Sequence, residues 1–504
     1  MDVNIFSKRI AKGAIIVFFG LLLSKTLAYL YVALLARLGS SEYGTLSLAL
    51  AIISFISIFA ILGLKTGIVR YVSYYKGKQD YQKLKGTIIS SLRLSLPINI
   101  VLMILLLIFS DEISISIFHN ANLIPILRLF SFALPFITLS DIFLGIIIGF
   151  QKIQYKVLVK DILENIFKLV LTFVVIYFGY NLFGVAIIYG LSIIVTTILS
   201  YYLLQKKVFP FFKTKVIPIF ITKELFLFSL PFIFAGVLDL VIKWTDIFMI
   251  GFFRTTSEVG IYNVVLPTAN LLIIIPTAFM ALFIPIITEF YSKNNLKEIN
   301  NISNINSKWI FFLNFPIFLL LLLFSKQILT IMFGQEYVVG NLALIILIIG
   351  YMFLSLVHIP NSLLIMLKKT KLVLYISLIS ASINIILNYF LIPKLGIVGG
   401  AIATSSSLIL IFVLTLIGSY NLTKIQPIKI NYLKSVLAGV IPFFMILFII
   451  NSFKINIGFL LFVLFSIIFL LIYALLVYLF KGLDKEDIEV INGIYTKFRK
   501  RKYI

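Results

Sequence analysis

Long apolar segments recur along the whole chain and limit its possible folds more than any other feature does. More than a dozen windows of roughly 20 residues consist mostly of apolar side chains, the length that a helix needs to cross the hydrocarbon layer of a membrane. The 504 residues are 61% hydrophobic and only 12% charged, whereas soluble domains average about 25% charged residues. We therefore predict an all-α, polytopic membrane protein.

Fourteen transmembrane helices are predicted, and the links between them are too short to hold a separate soluble domain. The windows, whose ends are uncertain by a few residues, are 13–36, 44–64, 87–109, 121–150, 157–179, 184–205, 223–252, 257–288, 307–325, 338–367, 372–392, 397–418, 434–452 and 456–480.

The basic residues predict how these spans are oriented. Of 43 lysines and arginines, 33 lie in alternate links and the tail, whereas five lie in the opposite links. Positive residues favour the cytoplasmic side, so we expect a multi-pass plasma-membrane protein with both termini in the cytoplasm. Orientation then accounts for the net charge of +24 without a nucleic-acid partner. The tail, which ends in KFRKRKYI, is either a solvated anchor or a segment attracted to anionic lipids.

An internal repeat divides the predicted spans into two sets of six. LGSSEYGTLSLA aligns with TTSEVGIYNVVLP so that Gly44 matches Gly260, and NLFGVAIIYG aligns with IVGGAIAT so that Gly184 matches Gly399. An even number of spans separates the partners, so the repeats run in the same direction, related by an axis along the membrane normal. Such paired bundles are typical of transporters whose central site opens alternately to each side.

The repeat predicts five regions along the chain. We expect an N-terminal six-helix lobe at 1–206, a cytoplasmic linker at 207–222, a C-terminal six-helix lobe at 223–420, two further helices at 421–480, and a basic cytoplasmic tail at 481–504.

Charged residues inside the spans are the first candidates for a functional site. Placing an ion at mid-bilayer costs at least about 2.5 kcal/mol, so these residues need partners or a water-filled cavity. Asp239, Lys243 and Asp246 share one face of the seventh span, and Lys168 follows Glu164 by four residues in the fifth. They either line a cavity that holds an anionic headgroup or form intrahelical pairs that lower the cost of burial.

Five further residues are candidates for substrate contact, and each has a simpler interpretation. Lys25 in the first span is either a cavity cation or a lysine that extends to the interface. Lys65 and Arg70 follow the second span and are either ligands or inner-surface anchors. Asn384 and Asn388 share a face of the eleventh span, where they either bind sugar hydroxyls or join helices by hydrogen bonds.

Four segments resemble the polysaccharide and lipid-linked oligosaccharide flippases of the multidrug/oligosaccharidyl-lipid/polysaccharide exporter superfamily. They are LARLGSSEYGTLSLALA, WTDIFMIGFFRTTSEVGIYNVV, MFGQEYVVG and NYFLIPKLGIVGGAIAT. The resemblance extends from Lys8 to about Tyr420 and implies two six-helix lobes, alternating access and a polyprenyl-linked sugar as cargo. It also matches Asp246 to an acidic residue common in the seventh helix of that family.

We therefore expect a flippase that moves a polyprenyl-phosphate-linked glycan from the cytoplasmic to the outer leaflet. The alternative is a multidrug or cation-coupled antiporter of the same superfamily. A membrane enzyme is disfavoured because the outer links are short, and the absence of cysteine excludes thiol catalysis and Cys-ligated zinc. No cofactor is expected, and the protein is expected to act as a monomer. The sequence leaves the sugar, the carrier lipid and any coupling ion open.

Overall fold

The computed structural model describes residues 20, 22–212, 214–293, 295–426 and 432–480. Within these ranges all regular structure is helical, and no strand occurs. The predicted all-α fold is therefore confirmed. The predicted basic tail lies outside the described residues.

Eighteen helices are named here in chain order. They are α1 (22–35), α2 (Ser40–Ile61), α3 (Leu64–Gly77), α4 (Tyr81–Glu112), α5 (Leu123–Gly149), α6 (Ile153–Lys156), α7 (Glu164–Tyr177), α8 (Leu182–Leu203), α9 (Thr222–Phe253), α10 (Thr256–Ala269), α11 (Ile274–Ser292), α12 (Leu296–Leu323), α13 (Ser325–Ile328), α14 (Asn341–Met366), α15 (Thr370–Leu395), α16 (Ile397–Thr423), α17 (Tyr432–Ser452) and α18 (Phe459–Leu479).

Eleven helices of the described chain are long and apolar enough to cross a membrane, or twelve if α9 is counted despite its 43° bend. The first predicted span begins in residues that the structure does not describe. The fifth is divided into α6, a π-helical segment at Val157–Leu163, and α7. That segment contains Lys160 and Asp161, and charges of this kind interrupt an apolar run. The total of fourteen spans and the lobe boundaries remain predictions.

The chain divides into two compact units. The first contains Met1–Thr268, Met332–Leu347 and Leu374–Ser407. Its largest buried cluster joins α3, α4 and α5 through side chains such as Ile68, Ile88 and Ile146. The predicted inner link after the second span thus contains α3, which is too short and too basic to have been predicted as a span.

The second unit contains Ala269–Ile331, Ile348–Val373 and Leu408–Ile504. Met280, Phe283, Ile310 and Leu363 belong to its buried cluster. Its last two helices instead expose large apolar side chains, including Leu460 at 81% and Phe448 at 71%. Exposed surfaces of this kind suit contact with lipid, so the second unit has the surface expected of a multi-pass membrane protein.

Candidate functional site

Neutral polar side chains surround one buried carboxylate in the first unit. Asp246 on α9 is only 4% exposed. Its carboxylate accepts hydrogen bonds from the Tyr262 hydroxyl on α10, the Asn388 amide on α15 at 2.6 Å and the Thr404 hydroxyl on α16 at 2.5 Å. Four helices therefore converge on a single acid. Together with Asn384, these residues are called the Asp246 cluster.

Hydrogen bonds among its own members hold the Asp246 cluster in place. Asn384 and Asn388 lie four residues apart on one face of α15. The Asn388 amide also donates to Oδ1 of Asn384 at 3.1 Å, and the Asn384 amide donates to Thr404 at 3.1 Å. Tyr262 is fully buried, and a buried tyrosine hydroxyl needs a partner. These hydrogen bonds fix the donors around the carboxylate.

The charge of Asp246 has no counter-ion in the part of the chain that the structure describes. All of its hydrogen-bond partners there are neutral. An ionised carboxylate that is buried without a cation costs several kcal/mol, so this acid is stable when it binds a proton or a small cation. Oδ1 of Asn388 is buried without a hydrogen-bond partner in this region, and amide and carboxylate oxygens are ligands that hard cations prefer.

Sequence reasoning found three members of the Asp246 cluster and missed two. Asp246, Asn384 and Asn388 were candidates, and the structure brings them together. Tyr262 and Thr404 carried no signal, because hydroxyl groups are frequent in the spans and only the fold shows which of them meet an acid. Contact of these residues with a substrate remains a prediction.

Three other candidates belong to the first and seventh spans: Lys25, Lys243 and Asp239. Lys25 on α1 and Lys243 on α9 are both exposed. The side chain of Asp239 is not among the described parts of the chain, so its pairing with Lys243 remains a prediction. Both side chains are therefore partly accessible to water, and Lys243 also interacts with another residue of the chain.

Lys65 and Arg70 are both exposed on α3. Lys65 forms an ion pair with Asp141 on α5 at 2.7 Å, and half of its side chain is exposed. The Arg70 guanidinium lies 4.1 Å from the centre of the Phe228 ring on α9. The carboxylate of Asp141 therefore already neutralises Lys65. Arg70 lies against the rings of Phe228 and Tyr71 and forms no ion pair with a residue that the structure describes.

Lys168 on α7 belongs to an ionic chain centred on the buried Glu164. Glu164 is 6% exposed and bonds Lys160 at 2.8 Å and Lys168 at 3.1 Å. The Lys168 ammonium also lies 5.1 Å from the ring centre of Tyr189 and 5.7 Å from that of Tyr31. The predicted intrahelical pair is thus present, and a second lysine extends it.

We predict that replacing Glu164 destabilises the protein more than replacing Lys168 does. We expect Glu164→Gln to destabilise the protein by about 3 kcal/mol, because it leaves two ammonium groups without a counter-ion, one of them buried. Lys168→Met should cost less, since Lys160 still neutralises Glu164. Melting temperatures in detergent measure the difference, and equal melting of both variants and the unaltered protein would contradict it.

The beginnings of α2 and α10 contact each other through residues that the repeat makes equivalent. At an offset of 216, Ser40 corresponds to Thr256 and Ser41 to Ser257. The hydroxyls of Ser40 and Ser257 are 2.8 Å apart, and those of Ser41 and Thr256 are 3.3 Å apart. Exchanging each residue for its repeat equivalent turns the Ser40–Ser257 contact into the Ser41–Thr256 contact. A twofold axis relates contacts in the same way at a symmetric interface.

Two glycines allow the backbones of these helices to touch. A Cβ atom on Gly44 would overlap the carbonyl oxygen of Thr256, and one on Gly260 would overlap that of Ser40. One turn further, the Asn263 amide donates to Ser47 at 2.5 Å. We call this contact the paired helix starts.

Two family models and several known proteins are similar to this chain. The family model described as polysaccharide biosynthesis protein matches residues 10–291, and a second model, MatE, matches residues 231–390. Among curated proteins, the chain is 30% identical over 210 residues to the "Probable low-salt glycan biosynthesis flippase Agl15" of Haloferax volcanii, covering 42% of this chain and 44% of that protein.

Two further similarities cover most of the chain. It is 24% identical over 411 residues to the "Putative O-antigen transporter" of Shigella flexneri, covering 80% of this chain and 95% of that protein. Among solved structures, it resembles "Lipid II flippase MurJ, inward closed conformation" with a TM-score of 0.70 at 19% identity, covering 92% of this chain and 98% of that one. At this identity the second similarity concerns the fold alone.

Proposed function

The chain belongs to the polysaccharide biosynthesis protein family, and from this premise we propose that it is a flippase for lipid-linked glycans. The cargo is a polyprenyl-phosphate-linked oligosaccharide, which moves from the cytoplasmic to the outer leaflet of the plasma membrane. The family match carries the proposal, and the named flippase and transporter among the relatives support it. Both family and fold point to transport rather than to catalysis.

The Asp246 cluster supplies a means of coupling in this proposal. A proton or monovalent cation that binds at Asp246 removes the uncompensated charge from a junction of α9, α10, α15 and α16. The cluster then prefers one packing of these helices when the carboxylate is neutralised and another when it is ionised. An ion gradient across the membrane can drive the change, because occupancy of a site shifts a conformational equilibrium by its difference in affinity.

The paired helix starts supply the closure that alternating access requires. The distribution of lysine and arginine predicts that both starts lie at the outer face. Backbone contact between α2 and α10 closes this end, and separation of the two helices opens it. Hydroxyl pairs hold the contact, and the Ser40 hydroxyl also donates to the Glu336 carboxylate at 2.9 Å. Separation of α2 from α10 breaks the hydroxyl pairs.

Exposed ammonium groups recognise the cargo in this proposal. Lys25 and Lys243 bind the phosphate that joins glycan to lipid, because a phosphate needs cations when it leaves water. Asn384 and Asn388 instead serve the Asp246 cluster. Lys65 and Lys168 are already neutralised by acids, so they contribute to stability more than to binding.

A cation-coupled drug antiporter is the second candidate. The MatE match and the buried acid of the Asp246 cluster favour it, since an acid suits cationic substrates. The two candidates require cargo of opposite charge.

Purified protein in liposomes distinguishes these two functions. We expect a fluorescent polyprenyl-diphosphate oligosaccharide to become accessible to an impermeant glycosidase on the far side, whereas a cationic dye should not cross. Lys25→Ala and Lys243→Ala should each slow glycan transfer by at least about tenfold, or about 1.4 kcal/mol. Dye transport without glycan transport would support the antiporter and contradict the flippase.

A further inference from the structure

Two arginines beside the first turns of α9 lie over phenylalanine rings. The Arg93 guanidinium, on α4, is 4.1 Å from the centre of Phe220, and that of Arg70, on α3, is 4.1 Å from the centre of Phe228. Both arginines are exposed, and neither forms an ion pair with any residue that the structure describes. Each cation is therefore oriented by an aromatic face without being neutralised.

The ring beneath Arg93 is held in place by the segment that precedes α9. The Ile219 amide donates to the carbonyl oxygen of Gln82 at 3.1 Å. Lys85 donates to the carbonyl oxygen of Thr214 at 2.8 Å. These bonds fasten the segment to α4, so Phe220 forms a fixed platform for the guanidinium.

The ring beneath Arg70 is packed just as firmly. Tyr71 contacts Phe228 edge to face, with ring centres 5.5 Å apart. Burial raises the pKa of the Tyr71 hydroxyl, and the nearby Glu224 carboxylate, which accepts its hydrogen bond, raises it further. No acid that the structure describes lies within ion-pair distance of the Arg70 guanidinium.

Arg93 lies at the end of an exposed apolar stripe on α4. Leu96, Ile100, Ile104 and Ile108 follow it at intervals of three or four residues, and all four are exposed. This spacing places them on one face of the helix. The stripe is suited to contact lipid chains, and Arg93 then lies at the level of the lipid headgroups.

We propose that Arg93 and Arg70 bind the phosphate groups of anionic membrane lipids. A guanidinium that stacks on a ring keeps its N–H edge free, and this edge matches two phosphate oxygens. The stacking also holds the side chain in one orientation, so less entropy is lost on binding. The lipid chains extend along the stripe on α4. The inference requires only a membrane protein and does not depend on the proposed cargo.

Native mass spectrometry of purified protein titrated with phosphatidylglycerol or phosphatidylcholine tests this site. We expect tight binding of phosphatidylglycerol and at least tenfold weaker binding by the Arg70→Gln/Arg93→Gln variant. Arg128→Gln is the matched control, because Arg128 already bonds both carboxylate oxygens of Asp111 at 2.9 Å. It should bind the lipid as the unaltered protein does.

Two results would overturn the site: undiminished binding of phosphatidylglycerol by the double variant, or equal binding of phosphatidylcholine by the unaltered protein. A polyprenyl phosphate added as competitor identifies the source of the phosphate. If polyprenyl phosphate displaces phosphatidylglycerol, the site also binds the transported lipid. If phosphatidylglycerol is retained, the site binds only lipids of the surrounding membrane.

Discussion

Replacing Asp246 with asparagine is expected to reduce glycan-lipid transfer in liposomes by at least about tenfold, equivalent to about 1.4 kcal/mol. Asparagine keeps the shape of the side chain but cannot take up a proton or neutralise a cation. The cluster would then be fixed in its neutral state, and the helices around it would lose the signal to change packing. Transfer at the unaltered rate would contradict a coupling role.

The same variant should be at least as stable as the unaltered protein. A neutral amide costs less to bury than an unpaired carboxylate, so loss of transfer would not reflect unfolding. The unaltered protein should melt at a higher temperature when the coupling ion is added, either sodium at fixed pH or protons on acidification, and Asp246→Asn should not respond. Asp111→Asn is the matched control, because Asp111 is exposed and pairs with Arg128; it should transfer normally.

A disulfide across the paired helix starts is expected to abolish transfer. The chain has no cysteine, so Ser41→Cys/Thr256→Cys introduces the only possible bond. The two hydroxyls are 3.3 Å apart, so the two side chains already meet where a disulfide would join the helices. Oxidation should hold α2 against α10 and stop transfer almost completely, and dithiothreitol should restore it.

A second cysteine pair controls for the chemistry of cross-linking. The Asn120 amide donates to the Thr45 hydroxyl at 2.8 Å, and both residues belong to the first repeat. When oxidation consumes both thiols of Thr45→Cys/Asn120→Cys, transfer should continue, because this bond does not join α2 to α10. If the oxidised Ser41→Cys/Thr256→Cys protein transferred glycan lipid as fast as the reduced protein, α2 and α10 would not need to separate.

The sequence predicted part of the Asp246 cluster, because a charged residue within an apolar span is unusual. An acid within an apolar span requires an explanation, and so does a pair of asparagines four residues apart. Tyr262 and Thr404 gave no comparable signal. Thr404 lies 158 residues from Asp246 along the chain, and no local pattern joins residues at that separation.

Residue spacing and the internal repeat predicted local features, but they could not predict contacts between helices. The four-residue interval predicted the pair of Glu164 and Lys168, but the π-helical turn that interrupts the fifth span was not predictable from apolar content. The repeat predicted that Gly44 and Gly260 are equivalent. It could not predict that they touch, since equivalence in sequence sets no distance between two helices.

Alternating access through the paired helix starts is tested most directly by the distance between spin labels at Ser41 and Thr256. Double electron–electron resonance in nanodiscs reports this distance for the whole population. We predict a short and a longer population, with proportions that change when polyprenyl-linked glycan or the coupling ion is added. A single short distance under every condition, in labelled protein that still transfers glycan lipid, would contradict this mechanism.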